Sequence, residues 1–177
     1  EVLYEGMGPA GTAFMVEILT DNRNRTAPEV RKIFEVCGGN MGVSGCAAWM
    51  FDRKGLVVLA AQQLGQDGKT LDEDTLMELA LESGADDVRT AGDGDEAAFE
   101  VVCGVEAFND VCAAIDAAGL QPESQAITYL AKDTVAVGAD DAKKVLKLAE
   151  RLDDHDDVQA VSSNFSIDQS VLAEIEG

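Results

Sequence analysis

The sequence predicts an α+β fold, and three observations carry that prediction. Apolar residues recur at helical spacing in four segments, each with its own start and stop signals. Short strand-like runs separate these segments. The two kinds of segment follow one another as β α β, then β α β β α β, then β α β.

The elements are read in chain order. Residues 13–19 form an apolar strand. Thr26-Ala27-Pro28-Glu29 then reads as a capping box with Pro in the first helical turn. Val30, Ile33, Phe34 and Cys37 continue that helix at the right spacing, and Gly38-Gly39 ends it. Residues 47–51 and 55–59 read as strands, with Trp49 packed inside the first. Thr70-Leu71-Asp72-Glu73 is a second capping box, followed by Leu76, Leu79 and Ala80, with Gly84 as the stop. Strands at 87–90 and 99–103 precede a helix carrying Phe108, Val111, Cys112 and Ile115, which stops at Gly119. Strands at 126–131 and 134–137 lead to a helix starting near Ala139-Asp140-Asp141, whose acids suit the positive helix end. Ala142, Val145, Leu146, Ala149 and Leu152 make its apolar stripe, and a strand at 158–162 follows.

The middle block is a complete split βαβ unit of the ferredoxin-like kind. The outer blocks make a second such unit if the middle one is inserted between them. An isolated βαβ at each end would have too little core to be stable. The expected organisation is therefore residues 1–51 plus 133–177 as one discontinuous domain, with residues 52–132 inserted as the other.

Composition narrows the function classes. The chain has 177 residues, 46% hydrophobic and 27% charged, which is globular rather than disordered. Thirteen Lys and Arg against 34 Asp and Glu give a net charge of −21. Such a surface repels nucleic acid at long range, so any contact with it needs a local basic patch. No apolar run approaches the ~18–20 residues of a membrane span. Cys37, Cys46, Cys103 and Cys112 form no C-x-x-C pair, and free thiols in a reducing compartment are expected. The chain opens at Glu1 without Met or signal peptide, which reads as a piece with an upstream part outside it.

Gly6-Met7-Gly8-Pro9-Ala10-Gly11 matches G-x-G-x-x-G but precedes a strand, whereas a dinucleotide site needs those glycines between strand and helix. A tight turn that exposes backbone N–H groups is the better reading, one that also allows close approach to an RNA backbone. Thr20-Asp21-Asn22-Arg23-Asn24-Arg25-Thr26 reads as a loop entering a helix, with Arg31 and Lys32 just beyond. These four cations beside a helix N-terminus fit phosphate or ribosomal RNA contact and, equally, a solvated loop whose arginines pair with local acids. His155, the only histidine, lies in Asp153-Asp154-His155-Asp156-Asp157, read as a solvated helix-to-strand loop rather than a metal site. No nucleophile motif accompanies it, so no catalytic constellation, metal site or cofactor is expected.

Tyr4-Glu5-Gly6-Met7-Gly8-Pro9-Ala10-Gly11, the Thr20–Thr26 string and Gly38-Gly39-Asn40-Met41-Gly42 resemble, in order and spacing, the successive signatures of the YebC/PmpR family. The resemblance runs through to Asn164-Phe165-Ser166-Ile167. Met7 stands where the family usually has Tyr, and Ala10 where it usually has Gly. The resemblance implies the second and third domains of a protein whose N-terminal helical domain lies outside this chain. It implies a regulator of gene expression, not an enzyme: a ribosome-associated factor that activates translation or relieves stalling, or a DNA-binding transcriptional regulator. The binding residues would be Tyr4, Gly6, Gly8, Pro9, Gly11, Asp21, Asn22, Arg23, Asn24, Arg25, Arg31 and Lys32. Partners would be the ribosome, its rRNA or tRNA, or else DNA, and not a membrane. The location would be the cytoplasm of a bacterium, or a mitochondrion or other organelle of a eukaryote. No helix combines a basic face with groove-reading side chains, which favours RNA over duplex DNA. A small-molecule regulatory domain or enzyme is a third class, marked by a ligand pocket.

Overall fold

A computed structural model describes residues 1–92 and 94–176. In chain order the elements are β1 (Val2–Met7), β2 (Ala13–Ile18), α1 (Arg23–Val36), β3 (Asn40–Met41), β4 (Phe51–Ala60), α2 (Glu73–Ser83), β5 (Ala85–Ala91), β6 (Ala98–Cys103), α3 (Phe108–Ala117), β7 (Pro122–Ala131), β8 (Val135–Ala136), α4 (Ala139–Asp153), β9 (Val158–Ser163), β10 (Phe165–Ser166) and α5 (Gln169–Glu176). The chain divides into two compact units, Glu1–Asp52 with Tyr129–Gly177, and Arg53–Thr128.

The inserted unit is built on the sheet β5-β6-β4-β7. With α2 and α3 as its crossovers, that order is the split βαβ arrangement. β6 runs antiparallel to both neighbours, β4 and β5. Alternate residues Val57 and Leu59 of β4, with Phe99 and Val101 of β6, bury one face of the sheet against Leu76 and Ala80 of α2 and Val111 and Ile115 of α3. Asp72, not Thr70, caps α2: its carboxylate accepts from the Thr75 backbone N–H at 2.8 Å. Gly84 ends that helix in the left-handed region, at φ 103°.

The discontinuous unit carries the sheet β3-β1-β2-β9. Residues from both ends of the chain thus share one sheet, with β2 antiparallel to β9. The third strand position is filled by β1, paired with β2 as a hairpin. β8 instead joins β10 in a separate two-stranded parallel ladder. The 134–137 segment is therefore a short side ladder, because β1 already occupies the place it was expected to take.

Strict alternation on β2 gives this sheet two buried faces. Phe14, Val16 and Ile18 meet Val30, Phe34 and Cys37 of the α1 segment and Ala142, Val145, Leu148 and Leu152 of α4. Phe14 and Phe34 pack edge to face, centroids 6.1 Å apart. Ala13 and Met15 point the other way, onto Ala47 and Phe51. Leu148, not Leu146, completes the α4 stripe; Leu146 is 36% exposed. Of the expected strand 47–51 only Phe51 is strand, the first residue of β4: Ala48–Met50 form a 3₁₀ turn, and Trp49 is 67% exposed. Such a turn places an apolar residue outward where strand alternation would have turned it in.

Candidate nucleic-acid interface

The glycine turn is set by packing. A Cβ on Gly6 would lie 2.6 Å from the Phe34 ring, and one on Gly8 2.6 Å from Phe14. Pro9 is buried in a single 3₁₀ turn, Pro9–Gly11, closed by the Thr12 hydroxyl donating to the Pro9 carbonyl at 2.9 Å. Ala10 sits at φ 60°, the one non-glycine residue at positive φ among those described. Tyr4 is partly buried against the α1/α4 core. Gly6, Gly8, Pro9 and Tyr4 thus have structural duties, while the Gly11 position is open to solvent.

The Thr20–Thr26 string is mostly helix rather than loop. Asn22 is the cap, its side chain accepting from the Arg25 N–H at 3.1 Å, so Arg23, Asn24 and Arg25 lie in the first turn of α1. Thr26, expected to be the cap, is buried inside the helix. Its hydroxyl donates to Asp157 Oδ2 at 2.8 Å and meets the Thr20 hydroxyl at 2.8 Å. Arg25 Nη2 donates to the same Asp157 oxygen at 2.8 Å. The Thr26 hydroxyl and the Arg25 guanidinium hold the Asp157 carboxyl below its usual range. Asp21 is exposed at the mouth of this turn.

His155 turns back onto α1 instead of standing in solvent. Its Nδ1 accepts from the Asp157 N–H at 3.1 Å, which leaves the proton on Nε2 to donate to Glu29 at 2.8 Å. Glu29, His155 and Asp157 offer three ligand atoms within 4.8 Å of one another. Each is already engaged, and Arg25 adds a positive charge beside Asp157. The arrangement fits a hydrogen-bonded clasp between α1 and the α4–β9 loop.

Arg25 and Lys32 fall on one flank of α1, and Arg31 roughly 120° around from Arg25 at about 100° per residue. The four cations therefore do not form one tight patch. They belong instead to a broader surface that the sequence reading missed. α1 and α4 pack side by side on the sheet, and α4 carries Lys143, Lys144, Lys147 and Arg151, all exposed. Together the two helices hold eight of the chain's thirteen basic residues. With two acids on α1 and four on α4, the layer is net +2 in a chain of −21. Among the described residues only Arg25 of the eight forms an ion pair. Lys144 also reaches the end of α1, its Cδ about 4.0 Å from where a Gly38 Cβ would stand. The signal was available: Lys143, Lys147 and Arg151 recur every four residues, opposite the apolar stripe.

Glu5 was also unforeseen as a structural residue. It is 3% exposed, and its carboxylate accepts backbone N–H groups of Gly45 at 2.6 Å, Ala47 at 3.0 Å and Ala48 at 2.6 Å. Burial opposes its ionisation, but these bonds and one from Ser44 outweigh burial and lower its pKa. The four cysteines are free thiols. Cys37 and Cys112 pack with the cores of their units.

An α+β pair of units, one inserted in the sequence of the other, with eight of its thirteen cations on one helical layer, is the class of protein these observations define. Residues 1–165 match the family described as "TACO1/YebC second and third domain". The chain belongs to that family. It is 47% identical over 174 residues to a "Probable transcriptional regulatory protein" of Desulfatibacillum aliphaticivorans, a match covering 98% of this chain and 66% of that protein. A like-named protein of Geobacter sulfurreducens is 47% identical over 167 residues, covering 94% of this chain and 63% of its own. A crystal structure of a conserved hypothetical protein from Aquifex aeolicus superposes with a TM-score of 0.83 at 39% identity, covering 96% of this chain and 65% of that one. The chain thus spans about two thirds of the length of the relatives it matches. These relatives are named as regulatory proteins, not enzymes. No helix among the described residues is long and apolar enough to cross a membrane.

Proposed function

We propose that this chain is the RNA-contacting part of a ribosome-associated translation regulator. The observation that carries the reading is the α1/α4 layer, which concentrates eight of thirteen cations on an otherwise strongly acidic chain. Long-range repulsion by a charge of −21 selects against loose binding to any polyanion, while a local cationic surface rewards a target that fits it. Both helices are held flat by apolar stripes against one sheet. A flat layer suits the irregular surface of folded RNA; reading a duplex needs a helix that enters the major groove. The relatives' printed names speak of transcriptional regulation, which favours a second reading, a transcriptional regulator, for which DNA would be the target. The two separate by co-sedimentation with ribosomes set against binding to duplex DNA at the same salt concentration. Ribosome binding without comparable duplex binding is the expected result. Tight, sequence-specific duplex binding would replace this reading with the transcriptional one.

A further inference from the structure

On the sheet face opposite the α1/α4 layer, the Ala48–Met50 turn holds the indole of Trp49, 67% exposed, in a fixed place. Trp49 Nε1 donates to the Cys46 carbonyl at 3.2 Å. Beneath it the segment is tied down by the Glu5 carboxylate through Gly45, Ala47 and Ala48, and Ala47 is fully buried. A large apolar ring is thus immobilised in solvent without a cover, at a cost that ordinary surface side chains do not carry.

The ring borders a cavity of about 350 Å³ shared with Met50, Lys132, Asp133, Val135 and Asn164. That is near the lower end of small-ligand sites, roughly 300–1,000 Å³, and suits one planar group rather than a length of chain. Its lining combines apolar Trp49, Met50 and Val135 with hydrogen-bonding Lys132, Asp133 and Asn164. Asn164, 4% exposed, accepts from the Ala13 N–H at 2.7 Å through its carbonyl oxygen, while among the described residues its NH₂ meets only the Met50 sulfur at 3.8 Å, a weak acceptor. Lys132 is half exposed and 3.9 Å from Asp52, too loosely paired to be committed there. A flat face, a buried amide donor, the exposed Asp133 carboxylate as acceptor for a base amine, and the loosely paired Lys132 ammonium for a phosphate together match a nucleotide.

We infer that Trp49 is the stacking floor of a site for one unpaired nucleobase of RNA, with the Asn164 amide at the base edge and Lys132 at the adjoining phosphate. The choice of RNA as the source of that base rests on the proposed function; the site itself does not involve the α1/α4 cations. Stacking of this kind is tolerant of sequence.

Trp49 is the only tryptophan, so its emission reports on this site alone. The experiment titrates the chain with the tetraribonucleotide AAAA, with its deoxy counterpart, and with an abasic ribose-phosphate tetramer. Saturable quenching by the AAAA ribonucleotide, and none by the abasic tetramer, is expected. In parallel, anisotropy of a labelled AAAA should show Trp49→Ala weakening binding about tenfold and Trp49→Phe retaining most of it. Lys132→Ala should lower the salt slope by about 0.7, one phosphate contact. Equal quenching by the abasic tetramer, or none by AAAA from the folded chain, overturns the site and leaves the indole as a protein-docking surface. Stronger quenching by the deoxy tetramer overturns RNA as the occupant. Lost quenching with ribosome binding intact removes this site alone; lost ribosome binding with quenching intact removes the ribosomal reading alone.

Discussion

Ala10 shows at the scale of one residue how the glycine turn works. It holds φ 60° and ψ 23°, a conformation costing an L-residue roughly 1–2 kcal/mol that glycine escapes. Glycine gives back about 0.5–1 kcal/mol of that through its freer unfolded chain. Ala10→Gly should therefore stabilise the protein by about 0.5 kcal/mol, read as a raised urea midpoint with unchanged m-value. Gly6→Ala should do the opposite, because a new Cβ 2.6 Å from Phe34 forces overpacking of about 1–3 kcal/mol. Thr26 and Asn22 can be separated in the same assay. Asn22→Ala removes the cap of α1 and should cost about 1 kcal/mol. Thr26→Ala removes a fully buried hydroxyl and one partner of Asp157, a cost of about 1–3 kcal/mol.

Among the elements, helices α1 to α4 were legible from sequence, α5 was not, and the sheet of the outer unit was legible only in part. Period and stop signals located α1 to α4, since each buries a stripe that only a helix can align. The true caps, Asn22 and Asp72, were missed because Thr26 and Thr70 satisfy the same box pattern a few residues away. The strand that completes the outer sheet, β1, lies in a glycine-rich stretch with little alternation, and β3, β8 and β10 have two residues each, too short for any period. The glycine and arginine motifs were visible as unusual residues, but their partners in space, Phe34 and Asp157, are remote in sequence. The clasp between α1 and the α4–β9 loop, and the Glu5 tie beneath residues 44–48, predict a shared acid response. Glu5 and Asp157 both have folded pKa values below their ordinary ones. Their stabilisation is present above the unfolded carboxylate values, about 3.9–4.3, and is lost as pH falls through the lower folded values. Unfolding measured from pH 7 downward should show a steep loss of stability below about pH 4. Glu5→Gln should lower stability at neutral pH and flatten that acid limb. An unchanged acid limb in this variant would show that the carboxylate does not tie the loop.

For the whole molecule, charge is the property that organises function. The chain as a whole is −21, yet the helical layer over one sheet face is net +2, and among the described residues only Arg25 of its eight cations forms an ion pair. Such a molecule should bind RNA only where close fit lets the layer act inside about 8–10 Å, the range over which salt leaves charges unscreened. The proposed ribosomal contact thus stands on the α4 cations as much as on the arginines of the Thr20–Thr26 string. The most direct measurement is the salt dependence of ribosome binding by the chain and by Lys143→Ala/Lys147→Ala/Arg151→Ala. Alanine is a strong helix former, so these exposed positions should tolerate it without loss of fold. The expected result is weaker binding with a log–log salt slope shallower by about 2–3, matching three lost phosphate contacts at ~0.7–0.9 each. Unchanged affinity and slope in the folded triple variant would contradict the central claim that the α1/α4 layer is the RNA-contacting surface.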